Sequence, residues 1–167
     1  MAWRLEHDVL IHDALRVNLQ RIAASHWRAD ARLRSWGPAP LHADGETVSV
    51  PCAEGTVLWL GAWMEDAPTV ARIVLDDPVD GSSGELSTDN GYQLCALVDA
   101  SGQRQPIGLR GESLQRRLRL QVYREHGHGR TLAALDLVLL QPAAWERLSG
   151  REAPGPLREP PLPPRLG

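Results

Sequence analysis

The sequence predicts a mainly β protein, an antiparallel β-sandwich of about seven strands with one N-terminal helix packed on it. Three observations predict it. Residues 8–37 are the one long stretch with apolar positions at helical spacing. Past residue 46 the apolar residues recur at every second position, in short runs. Gly, Asn and Asp turn signals separate those runs at sandwich-like intervals, with no strand–helix–strand alternation and no internal repeat.

Taken in order, residues 1–7 are a lead-in, and residues 8–11 suit a small strand or a first helical turn. Beyond them Leu15, Leu19, Ile22, Ala23, His26 and Leu33 fall on one side of a helical projection. Asn18 suits an N-cap, Gly37 suits the residue after the last turn, and Pro38 cannot continue a helix. A helix over residues 17–34 is therefore expected, anchored on the sandwich by Leu15, Leu19, Ile22 and Trp36. Residues 47–52 alternate, and residues 56–63 are apolar almost throughout, as in a strand covered on both faces, with Glu54 and Gly55 turning between them. Residues 69–75 and 91–98 read as further strands, and the turn at Asp99–Gly102 pairs the latter with residues 103–109.

The clearest alternation comes last. Leu114, Leu118, Leu120 and Val122 share one face of a strand, and Arg117, Arg119 and Gln121 share the other. Residues 131–140 are apolar on both faces apart from Asp136, so that strand is expected to be central. Asp136 is then a buried carboxylate unless an arginine of the neighbouring strand reaches it. Pro142 ends the strand, and residues 143–148 suit one helical turn. Residues 1–148 form one domain on this reading. Residues 149–167 hold six prolines and little to bury, so an extended tail is expected. Pro160, Pro161, Pro163 and Pro164 give that tail the look of a ligand for a proline-reading groove.

Composition narrows the function classes. All 18 basic residues are arginine, and the net charge of −3 argues against a nucleic-acid partner, which needs a basic field. No apolar run approaches the ~18 residues that cross a membrane, and the N-terminal residues lack the apolar core of a signal peptide. Cys52 and Cys95, without paired spacing, suit free thiols in a reducing cytoplasm, with a pairing of the two as the alternative. Charge is unevenly placed. Residues 41–99 hold eleven Asp and Glu against one Arg, and residues 100–130 hold seven Arg against two Glu. Either these segments form opposite surfaces suited to docking a protein, or they neighbour each other and compensate.

Four features carry candidate chemistry. Asp76, Asp77, Asp80, Glu85 and Asp89 offer a loose calcium site; the EF-hand spacing fails, because Pro78 and Ser87 stand at ligand positions. Ser82 and Ser83, between Gly81 and Gly84, miss the G-x-S-x-G nucleophile pattern. His126 and His128 put two imidazoles on one hairpin tip, short of a metal site without ligands from elsewhere. Arg116, Arg117 and Arg119, with Arg110 and Arg124 nearby, form a basic strip that is a solvated strand face or a surface for an acidic partner. Trp59 and Trp63 share a strand face, as core packing or as a platform for a sugar ring.

One stretch resembles a known family. Val9, Leu10, Ile11, His12, Asp13, Ala14 and Leu15, followed by Val17, Gln20 and Ile22, resemble the N-terminal signature of the TssK baseplate family of bacterial type VI secretion systems. Asp13-Ala14-Leu15 stand at that family's Glu-Gly-Met, Gln20 at its Gln and Ile22 at its Phe, while Ile11, Ala14, Leu19 and Arg21 replace its Trp, Gly, Pro and His. Trp36-Gly37, Leu41 and Asp44 echo a later pattern of the family. The resemblance implies a β-sandwich shell domain, followed in the family by further domains, and a scaffold role without catalysis.

Residues and resemblance together predict a non-enzymatic docking module of a multiprotein assembly, bacterial and cytoplasmic, of the type VI secretion or phage tail-like baseplate kind. Its partners are other proteins, with self-association open, and it needs no cofactor. Partner contact is assigned to Arg110, Arg116, Arg117, Arg119, Pro160, Pro161, Pro163 and Pro164. The alternative is a ligand-binding sandwich for a carbohydrate or calcium.

Overall fold

The structure, a computed structural model, describes residues 3–65, 69–124 and 131–162. It is mainly β, with two sheets. The strands are β1 (Arg4–Glu6), β2 (Val9–His12), β3 (Leu15–Ala23), β4 (His42–Asp44), β5 (Thr47–Pro51), β6 (Thr56–Met64) and β7 (Ala71–Asp76). They continue with β8 (Ser83–Ser87), β9 (Gln93–Leu94), β10 (Leu97–Val98), β11 (Arg104–Gln105), β12 (Gln115–Arg124) and β13 (Thr131–Leu140), before the helix α1 (Pro142–Ser149). The smaller sheet runs β1-β2-β3-β6-β9 and the larger runs β11-β10-β8-β7-β12-β13-β5-β4. All pairings are antiparallel except β13 with β5.

The helix expected over residues 17–34 does not form. Leu15, Val17 and Leu19 alternate with Arg16, Asn18 and Gln20, and this period of two wins, because β3 bonds on both sides, to β2 and along nine residues of β6. The β1–β2–β3 meander that makes this possible turns at His7-Asp8 and after His12. His7, Asp8 and Asp13 take φ of 49°, 61° and 50°, the left-handed backbone of tight hairpins that Asp and His adopt more readily than most residues. After β3 only a short 3-10 turn, Ala24–His26, is helical before the chain folds back. The one α-helix among the described residues is α1, where one turn was expected. Pro142 opens it, Gly150 at φ 71° closes it, and Trp145 is fully buried with its indole N–H donating to Ser49 O at 3.2 Å.

Thirteen strands among the described residues replace the expected seven. Residues 91–98 split into β9 in the smaller sheet and β10 in the larger. β8 shows little apolar alternation. Its Gly84 is required by a close crossing, because a Cβ there would meet Ala96 O at 2.5 Å. β13 is central, between β12 and β5, as its apolar run predicted.

The inner faces share one core. Leu15, Val17, Leu19, Leu58 and Leu60 of the smaller sheet meet Val48, Ile73, Leu75, Leu118, Leu120, Leu135 and Leu137 of the larger. β6 is buried on its other face too. Ile22, Val57 and Trp59 are covered by Leu33, with Trp27, Trp36 and Cys95 around them. Residues 24–37 are therefore a lid on the smaller sheet, pinned by polar contacts. Gln93 exchanges two hydrogen bonds with the Leu33 backbone, at 3.0 and 2.7 Å. The indoles of Trp27 and Trp59 donate to Cys95 O at 2.9 Å and Arg34 O at 3.1 Å. No helix among the described residues is long and apolar enough to cross a membrane.

Candidate functional site

Strand parity sorts the arginine strip into two environments. Arg116 has the parity of Leu118 and Leu120, so its side chain points inward at the end of the larger sheet, and it is 6% exposed. There it donates from Nε to Asp77 Oδ2 at 2.8 Å, from Nη1 to Gly108 O at 3.0 Å and from Nη2 to Ser82 Oγ at 3.1 Å. This overturns the expectation that Arg116 belongs to an open basic strip. Asp77 also accepts the backbone N–H groups of Val79 and Asp80, at 2.8 and 3.3 Å. Asp80 accepts the Ser82 hydroxyl at 2.6 Å, and Arg110 Nη2 lies 2.8 Å from its other oxygen. Burial pushes the Asp80 carboxyl up, but the Ser82 hydroxyl and N–H and the charges of Arg110 and Arg116 outweigh it and hold the carboxyl below its ordinary range.

The acid-rich and arginine-rich segments thus sit side by side and compensate. Ser82, fully buried, is a structural member of this network, bonded to Asp80 and Arg116. Asp77 and Asp80 are occupied by arginines, and among the described residues no three His, Cys, Asp or Glu side chains gather where they could hold a metal ion. Among the described residues the cysteines are free thiols, both pushed up by burial.

Arg117 and Arg119 point to the outer face of the larger sheet. Both bind Asp136, at 3.0 and 2.9 Å, so the carboxylate on the central strand is met from the neighbouring strand. Across the same row Arg119 is the register partner of Asp76, whose carboxyl is pushed up by burial. Next along the face Arg72 pairs with Glu85 at 3.2 Å and lies 4.9 Å over the Tyr123 ring. The part of this face at β5 lies under α1, whose Trp145 donates to Ser49 O. The half at β7, β8 and β12 is open: the Arg72, Glu85, Arg117 and Arg119 side chains are 39, 55, 53 and 39% exposed.

Trp59 and Trp63 do share the outer face of β6. Trp59 is sealed beneath the lid, at 4% exposure. Trp63 is half-buried and pairs with Tyr92 across 5.8 Å, a residue the sequence reading missed. Gly61 makes room for that tyrosine, since a Cβ would stand 3.0 Å from its hydroxyl and 2.5 Å from Asn18 Oδ1. The two rings line a cleft of about 430 Å3 with Met64, Thr88 and Asp89.

The described part of the proline tail is not free. Arg151 donates to Asp8 Oδ1 at 3.2 Å and to Leu41 O at 3.0 Å, and Arg34 donates to the carbonyls of Pro160 and Pro161 at 3.4 and 3.2 Å. Pro163, Pro164, His126 and His128 lie outside the described residues. The chain matches no family model, no curated protein and no solved structure.

Proposed function

We propose that this chain is a non-enzymatic docking module of a multiprotein assembly, contacting its partner through the open half of the larger sheet's outer face. One observation carries this reading: the face at β7, β8 and β12 leaves four charged side chains accessible beside a half-buried Tyr123, while the same face at β5 is covered by α1. Rigid strands hold such groups in fixed register, and rim charges set partner choice and encounter rate more than affinity. The edges support a face over an edge. β1, β9, β11 and β4 are three, two, two and three residues long, too short to template an added strand. The resemblance at residues 9–22 supports a bacterial, cytoplasmic baseplate component of the type VI secretion or contractile-tail kind as the assembly. A photo-cross-linking residue at Gln121, in the middle of the open face, tests the reading. One protein cross-linked there and not from Glu112 is expected; cross-linking to nothing, or equally from both, rejects it.

The Trp63–Tyr92 cleft favours a second reading, a carbohydrate-binding sandwich, because two rings beside Thr88 and Asp89 combine a stacking surface with polar groups. A glycan panel read by tryptophan fluorescence and thermal shift decides it, and no response from any glycan removes it.

A further inference from the structure

We infer that the lid over the smaller sheet carries a binding groove for extended proline-rich peptides, whose resident occupant is the chain's own segment 153–162. A polyproline helix has no internal hydrogen bonds, so its carbonyls need donors from whatever binds it, and its rings pack on aromatic surface. A donor to proline carbonyls and an aromatic ring facing the proline segment across a cleft stand on one side of this molecule. Arg34 spans two successive proline carbonyls, Pro160 O and Pro161 O, at 3.4 and 3.2 Å. Glu159 lies 3.9 Å from His26, whose ring packs 4.7 Å from that of Trp36. Upstream, residues 153–157 wall a cleft of about 410 Å3 whose other side is formed by Arg21, Trp36, Pro51, Gly55 and Pro142. Arg21 Nε donates to Pro38 O at 3.1 Å, which fixes the lid's return beside the cleft. The groove thus combines the half-buried Trp36 with an exposed arginine donor, Arg34, and the proline-rich segment lies along it, walling the cleft and meeting Arg34 through two carbonyls.

The groove shares no residue with the docking face on the larger sheet. Its consequence is competition. The tethered tail acts at a high effective concentration, so a peptide from another molecule gains access only when the tail is weakened. The experiment uses the full chain in two forms, wild type and a tail variant carrying Pro156→Ser, Pro160→Ser and Pro161→Ser. The probe is a fluorescent peptide with the sequence of residues 151–162, followed by anisotropy. The tail variant is expected to bind the peptide at least about tenfold more tightly than wild type. Adding Arg34→Ala to the tail variant is expected to weaken binding by about fivefold or more. A tail variant that binds no peptide, or no better than wild type, overturns the inference. So does binding unchanged by Arg34→Ala, or equal binding of a peptide with its prolines replaced by serine.

Discussion

Arg116 and Arg119 lie on one strand, β12, and live in opposite surroundings. Arg116 spends each of its three nitrogens on a buried partner, Asp77, Gly108 or Ser82. Arg119, like Arg117, reaches across an open sheet to Asp136 and keeps over a third of its side chain in water. Both are ion pairs at about the same distance, 2.8 and 2.9 Å. They differ in what happens when they break. A buried charge that loses its partner has no water to replace it, whereas a surface charge is resolvated at once. The first kind holds a fold together, and the second kind is available to something else.

That contrast ranks the expected effects of substitution. Arg116→Met strands Asp77 without its cation, and urea unfolding is expected to show a loss of about 3–5 kcal/mol. A loss under about 1 kcal/mol, the size of a surface pair, would erase the distinction. Ser82→Ala removes the hydroxyl between Asp80 and Arg116 and is expected to lose about 1–2 kcal/mol in the same assay.

The pH dependence sharpens the contrast. Asp80 is held below its ordinary range, so its contribution is fully present above the unfolded value of 3.8 and lost as pH falls through the lower folded value. Thermal melts in acid should therefore fall more steeply for wild type than for Asp80→Asn. Asp76 on the open face has the opposite sign. Burial raises its carboxyl, so its ionised form costs stability at neutral pH, and the cost fades as pH falls through the raised value. Asp76→Asn should melt slightly higher than wild type at pH 7, with the gain disappearing in acid. A gain that persists in acid would point to packing in place of charge. Arg117→Gln and Arg119→Gln are expected to change stability least, each within about 1 kcal/mol.

The fold was legible where parity was followed and lost where it was set aside. The alternation of Leu118, Leu120 and Val122 against Arg117, Arg119 and Gln121 is what the structure shows, and the same parity already placed Arg116 inward. Grouping it with Arg117 and Arg119 by charge hid that. Leu15, Leu19 and Ile22 satisfy a helical spacing, yet Leu15, Val17 and Leu19 satisfy a strand spacing equally well. The tie is broken by tertiary pairing with β6 and by turns at His7-Asp8 and Asp13, which lack the glycine that usually announces a hairpin. Ile22 is buried beneath the lid and Trp36 is half-buried within it, and neither lies along a helix. Tyr92 and the seat of the proline tail could not be read, since each depends on segments far apart in the chain.

The docking face is tested most directly by recovering partners with wild-type chain and with an Arg117→Gln, Arg119→Gln double variant from the native cells, quantified by mass spectrometry. Urea unfolding of the two chains is compared alongside. The expected result is near-identical unfolding, within about 2 kcal/mol, together with a protein recovered by wild type and strongly depleted with the double variant. Recovery of that protein in equal amounts by both chains, or of no partner by wild type, would contradict the open face as the docking surface.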